Sequence, residues 1–364
     1  MFDYVCHMRK IVFLLLLMVP VALLFNSCDK CNKANHSNAV VTDSSSIPEI
    51  DKITQEIKKD SLNPFLYFKR AQVYEANNDF KSAATDMYLA LTIDSLRPEF
   101  YTYAANLFMK SGEPQRGIAL MNKAITTDSS NSVFYVKAAE LAYVDTTIKG
   151  NYLLALEYLN TAITKDMQNA DIYFFKGNVF KEMGDTVKAI SSFQTATELN
   201  PKYYDAYVQI GLLLKNRKNK EAEKYFDNAI KVSDKPEDAL YAKASIYKEQ
   251  GVALYEANKE AQSKAQLNKA VENFKKVIEV NYRNVEAYMG VGFCYYQMDS
   301  LQEAYEFYDK ALKIAPTYAG AYFSKGLCAE DLGKTKEAIM LYQNCLNIDP
   351  TFERAQKHLQ DLQK

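Results

Sequence analysis

The chain has 364 residues, 48% apolar and 24% charged, an ordinary globular balance that argues against wholesale disorder and against a polytopic membrane protein. Forty-four Lys and Arg against 45 Asp and Glu leave a formal charge of −1, so no basic field draws the chain to nucleic acid. The histidines are His7, His36 and His358, near the two ends, which excludes a His-based metal site or a Cys–His dyad from the body.

In chain order, Arg9 and Lys10 precede an apolar run from Ile11 to Phe25, followed by Asn26, Ser27 and Cys28, the pattern of an export signal. A helix of that length rises about 22 Å, short of the roughly 30 Å hydrocarbon core, and Pro20 interrupts it, so a stable membrane span is disfavoured. Met8 makes a more ordinary start for this leader than Met1. The segment Leu24-Phe25-Asn26-Ser27-Cys28 resembles a bacterial lipoprotein signal of the looser, Bacteroidota-like kind, with Phe25 where Leu is usual. The resemblance implies a signal peptide over residues 1–27 and a lipid on Cys28. It also implies a mature chain held in the cell envelope, at the outer membrane facing the periplasm. Two or more acyl chains give stable anchoring where one does not. The alternative is a secreted, unanchored protein. Residues 28–46 are rich in Asn and Ser without apolar period and read as a flexible tether of about 23 Å reach, with Cys31 a free thiol in it.

Ile50, Ile53 and Ile57 have helical spacing and predict a capping helix within residues 47–63. From residue 64 to 352 the chain repeats with a period near 34, in units 64–97, 98–131, 132–169, 170–203, 204–236, 237–284, 285–318 and 319–352. Position 8 of each unit is tiny: Ala71, Ala105, Ala139, Gly177, Gly211, Ala244, Gly292 and Gly326. Position 20 is equally small, from Ala83 and Gly117 to Ala304 and Ala338, so two helices of a unit cross closely there. Position 4 is Tyr in every unit but the sixth, which has Leu240, and position 24 is always large, as in Met87, Phe193, Phe274 and Tyr342.

With Gly112, Gly184, Gly251 and Gly333 expected between the helices, and Pro201, Pro316 and Pro350 after them, this pattern resembles the tetratricopeptide repeat family. The resemblance implies an all-α, right-handed superhelix of about eight helix pairs, an αα solenoid whose ends need caps. The C-terminal cap falls at 353–364, where Ala355, Leu359 and Leu362 share one side.

Three units depart from the period. Unit three has extra residues around Asp145 to Gly150, and unit five is one short around Asn219. Unit six gains fourteen residues between Gln250 and Lys269, which at helical spacing predicts two helices lengthened by about 10 Å each into a finger. Its Leu254, Tyr255 and Leu267 are expected to pack the lengthened pair together, with partner contact as the alternative.

Nothing in the chain nominates a catalytic residue, a metal site or a cofactor. Gly333-Lys334-Thr335 lacks the earlier glycine of a phosphate loop, and Gly290-Val291-Gly292 lacks the strand–turn–helix setting of a dinucleotide site. Cys294, Cys328 and Cys345 fall at small-residue positions and read as buried thiols, with a bridge among them the alternative.

In the resembled family the first helix of each pair lines a concave groove, and positions 2, 5, 9, 12 and 13 commonly meet a peptide. Carried over here, that face holds Gln72, Asn106 and Asn178, whose amides suit a peptide backbone. It also holds Phe68, Tyr143, Phe174, Tyr241, Met289, Phe293, Tyr296 and Phe323, large side chains suited to anchoring a partner. No Lys occupies position 5, so the two-carboxylate clamp of chaperone-binding relatives is not expected. The function expected is a lipid-anchored, non-enzymatic scaffold that binds an envelope protein or peptide segment, without nucleic acid or small-molecule cofactor. The alternative is a glycan-capturing outer-membrane lipoprotein, against which stand the lack of Trp and of a large non-repeat region.

Overall fold

A computed structural model of the protein describes residues 47–145, 151–217 and 220–363. The leader, Cys28, the tether with Cys31, most of the extra residues of unit three and Asn219 lie outside the described residues. Among the described residues there are eighteen helices and no strand. Helix α1 (Pro48–Lys59) stands alone and is followed by eight hairpins. These are α2 (Pro64–Ala76) with α3 (Phe80–Ile93), α4 (Pro98–Lys110) with α5 (Pro114–Thr127), α6 (Ser132–Val144) with α7 (Asn151–Lys165), and α8 (Ala170–Glu182) with α9 (Thr186–Leu199). Then come α10 (Tyr204–Asn216) with α11 (Ala222–Val232), α12 (Glu237–Glu256) with α13 (Glu260–Val280), α14 (Val285–Gln297) with α15 (Leu301–Ile314), and α16 (Ala319–Asp331) with α17 (Thr335–Ile348). Helix α18 (Glu353–Leu362) closes the array. No described helix is long and apolar enough to cross a membrane.

Local chemistry sets the helix ends. Asn63, Asp79, Asn131, Asn169, Asp185 and Asn284 accept backbone N–H groups as N-caps, and Pro64, Pro98 and Pro114 occupy first-turn positions that need no donor. Between the helices of a hairpin the chain reverses through one left-handed residue, Gly112, Gly184 or Gly333 at φ 72–78°, with Asn78, Asn258 and Asp299 taking the same role. Gly251 does not serve here, contrary to expectation: it lies inside α12, because the inserted residues move the turn of unit six on to Asn258.

The small and large positions meet as space and its filling. A Cβ on Gly177 would lie 2.6 Å from the Phe193 ring, on Gly211 2.6 Å from Phe226, on Gly292 2.7 Å from Tyr308, and on Gly326 2.6 Å from Tyr342. Units with Ala at position 8, such as those of Ala71 and Ala139, place Met87 or Leu159 opposite instead. Unit six combines Ala244 with Phe274, and its ring is received by Gly290 of the next unit, where a Cβ would lie 2.7 Å away. Both glycines of the Gly-Val-Gly motif thus make room for rings.

Recurrent polar contacts stitch successive units. Lys176 donates to Asn160 at 2.8 Å, Lys325 to Asp309 at 2.6 Å, and Lys243 to Asp227, each sixteen residues back. Arg70 donates to Thr54 of α1 at 2.9 Å across the same sixteen residues, so α1 takes the place of a preceding second helix. Its Ile50, Ile53 and Ile57 are buried. Arg70 also forms a bidentate pair with Asp86, both contacts 2.7 Å, with side chains only 7% and 4% exposed. Burial pushes the Asp86 carboxyl up against the pull of Arg70.

Successive first helices touch at α4–α6, α10–α12, α12–α14 and α14–α16, and no successive second helices do so to the same degree. The array therefore bends toward its first helices, whose outer faces form the concave side. At unit six, α12 and α13 have 20 and 21 residues against 13 and 14 in α14 and α15. The extra seven residues per helix extend each by about 10 Å beyond the stacked body.

Candidate functional site

On the concave side, residues 2, 5, 9 and 12 of each first helix follow i, i+3, i+7, i+10 spacing and share one face. Gln72 is exposed, and Asn106 and Asn178 are half-buried. No hydrogen bond among the described residues engages any of these three amides, and none is an orphaned buried group, so all three are open to a ligand's backbone.

The rings of this face are shared between groove and core. Phe68 packs on Phe100 and Tyr103 with centroids 5.3 and 5.0 Å apart. Phe174 lies 4.9 Å from Tyr203 and 5.4 Å from Phe193, and Tyr241 stands edge-on to Phe274 at 5.4 Å. Tyr143 contacts Tyr152 and Phe175. Met289 is half-buried between two core clusters, and Phe293 carries the Lys248 ammonium 5.5 Å above its ring. The Tyr296 hydroxyl donates to Asp331 at 2.7 Å; burial first, then that carboxylate, raises it well above the usual phenol range.

Phe323 must be removed from the groove set. It is only 3% exposed, because α18 lies over it: Phe352 and His358 stack on its ring at 5.0 and 5.7 Å and Arg354 sits 4.7 Å above it. Helix α18 stands where an inner unit has the first helix of the next, as Tyr203 before α10 packs on Phe174, and its Arg354 and His358 complete the cover over Phe323.

The structure adds a feature that ring and amide patterns do not flag. Asp171, Asp205, Asp238 and Glu286 are exposed at the second residue of α8, α10, α12 and α14. Lys181, Lys215 and Lys248 stand, half-buried, at position 12 of the first three of these helices. In α8 and α10 acid thus stands at the N-terminal end and base in the last turn, as the helix dipole favours, while the longer α12 has its lysine mid-helix and α14 has the acid without a lysine at position 12. The middle of the groove has an acidic edge, an apolar floor and an edge bearing lysines. A tally of position 2 along the repeat would have found the acidic edge.

Cys294, Cys328 and Cys345 are free and buried. Burial pushes the first two thiols up to about 12 and Cys345 to about 11, so none is a nucleophile at neutral pH.

Stacked helix hairpins with one concave face define an αα solenoid, a class whose working surface is extended rather than a pocket. Residues 285–318 match one family model described as tetratricopeptide repeat, and residues 170–203 and 319–352 match another of the same description. The chain thus contains tetratricopeptide repeats, a fold that typically serves as a non-catalytic protein-interaction scaffold. Among solved structures, the C-terminal part of a TPR repeat-containing protein from Cytophaga hutchinsonii is similar in fold, with 22% identity and TM-score 0.55, over 71% of this chain and 99% of that one. A tetratricopeptide repeat protein from Parabacteroides merdae matches at 19% identity and TM-score 0.44, over 73% of this chain and 98% of its own. YrrB, a TPR protein described as having an unusual peptide-binding site, matches at 20% identity and TM-score 0.43, over 55% and 96%. No curated protein matches the sequence.

Proposed function

We propose that the protein is a lipid-anchored scaffold of the bacterial cell envelope that holds another protein's peptide segment along its concave groove. The observation that carries the reading is the set of unengaged amides of Gln72, Asn106 and Asn178 on the inner face. Amides that bond to nothing among the described residues can satisfy a strand-like backbone laid across them, while Phe174, Tyr241, Met289 and Phe293 offer half-buried apolar area to its side chains. Anchoring through Cys28, at the outer membrane facing the periplasm, rests on the lipoprotein-like signal.

Crosslinking in native cells followed by detergent extraction tests both parts. One stoichiometric envelope protein should co-purify with wild type and be lost with Asn106→Ala plus Asn178→Ala, two substitutions that remove no side-chain hydrogen bond among the described residues. Cys28→Ser should move the protein out of the membrane fraction. Retention of the partner by the double variant would sink the groove, and capture of glycan without protein would replace the scaffold by nutrient capture.

A further inference from the structure

The finger overhangs a cleft. Between the projecting ends of α12 and α13 and the neighbouring α14–α15 turn lies a cleft of about 470 Å³, large enough for a long side chain. Tyr255, Glu260 and Lys264 line it from the finger, and Tyr296, Asp299 and Asp331 line it from the body. Tyr255 is 54% exposed, so its ring is not consumed in closing the hairpin; Leu267 and the Ser263 hydroxyl, which donates to the Gly251 carbonyl at 2.8 Å, do that. The charged lining is three carboxylates against one ammonium, and Lys264 is held by Glu260 at 2.9 Å. Asp299 forms no ion pair among the described residues and stands where other units reverse through Gly or Asn. The cleft is continuous with the groove, since Tyr296 and Asp331 occupy positions 12 and 13 of that face.

We propose that this cleft receives a lysine or arginine side chain of the partner segment as that segment leaves the groove past Tyr296. The inference rests on the groove reading above. Surplus negative charge and two phenol rings suit a cation carried on an apolar stem, whose ammonium or guanidinium meets the carboxylates while its plane or stem lies against the rings. No described group of His, Cys, Asp and Glu is gathered closely enough to hold a metal ion. The insertion in unit six is then a specificity device: it leaves the groove as it is and adds a clamp for one basic residue at its edge.

The test selects a phage-displayed random dodecapeptide library on the wild-type protein and measures the selected peptides by fluorescence anisotropy. The variants are Asp299→Asn with Glu260→Gln, Tyr255→Ala, and Asn178→Ala for the groove. Asn is already accommodated at the left-handed turn position at Asn78 and Asn258, so Asp299→Asn keeps the fold. Selected peptides should share a Lys or Arg whose replacement by Ala weakens wild-type binding about tenfold but hardly affects the Asp299→Asn, Glu260→Gln protein. Binding should also weaken as salt rises. Peptides without a shared basic residue, or with equal affinity for the finger variants, overturn the clamp; if they still lose affinity to Asn178→Ala, the groove stands alone. Peptides indifferent to Asn178→Ala as well, or a library that returns no binder, overturn both.

Discussion

Hairpins α14–α15 and α12–α13 share one crossing and differ in what surrounds it. The first is covered along its length by hairpins on both sides, and the bulky Tyr308 has its space made by Gly292, as Tyr342 has by Gly326 in the next unit. The second runs about two turns past its neighbours, where only its two helices cover each other. There Leu267 lies against Gly251, while Ala253, Tyr255, Ala257, Ala261 and Ala265 are exposed. A projecting helix with little tertiary support relies on good helix formers, and the stretch from Ala253 to Lys269 is accordingly rich in Ala, Glu, Gln and Lys. In a solenoid, then, the stacked body dictates its residues and the projections are free to carry recognition.

The largest expected effect lies in the body. Arg70→Ala would leave Asp86 buried without its bidentate partner, and should cost about 3–5 kcal/mol in urea denaturation. The comparison sharpens with Lys325→Ala, whose Asp309 partner is 34% exposed and which should cost below about 1 kcal/mol. Next, Gly177→Leu forces a side chain into the Phe193 ring and should cost about 1–3 kcal/mol. A Gly177→Leu protein as stable as wild type would remove the packing rule on which the contrast depends.

Much of this body is legible in the sequence, because the fold reuses one crossing and writes it down repeatedly as tiny residues at position 8 and bulky ones at position 24. The lengthening of both helices in unit six is legible too, since Leu254, Ala257, Ala261 and Ala265 keep helical spacing through the insertion. What a position code does not carry is the neighbour. Phe323 has the same position as Phe174, and each packs on the residue before the following helix, but Arg354 and His358 of α18 also cover Phe323 and leave it 3% exposed. Gly251 looks like a turn glycine until the turn moves to Asn258, and Tyr255 looks like hairpin packing until its ring is found half outside. The acidic edge from Asp171 to Glu286 escapes because acid at a helix N-terminus is the ordinary companion of a helix dipole.

Thiols report the same contrast at high pH. Cys294, Cys328 and Cys345 all lie in the body, and burial holds them neutral, the first two up to about 12 against an ordinary 9.0. The folded pKa lies above the unfolded one, so this contribution to stability is whole below pH 9 and is lost progressively as pH rises toward 12. The urea midpoint should fall over that range, and fall less steeply in Cys294→Ala. At neutral pH a thiol reagent should label Cys294, Cys328 and Cys345 only at the rate at which the body opens, read by mass spectrometry of their peptides. Fast labelling of these three thiols in the native protein would show that the stacked units open as readily as the finger.

The smallest effect is the one that isolates the finger. Tyr255→Ala removes a ring that is 54% exposed and outside the core, so stability should change by less than about 0.5 kcal/mol. Deleting Val252 to Ala265 restores the spacing of the other units and should leave labelling of the three body thiols at the wild-type rate, because the removed stretch contains no cysteine. Hydrogen exchange of intact protein should likewise show α13 amides near Glu260 exchanging well before those near Phe274, which sits in the covered part of the same helix. If the deletion instead loosens the thiols, the two turns beyond the body are holding the stack together, and the division between a dictated body and a free projection fails.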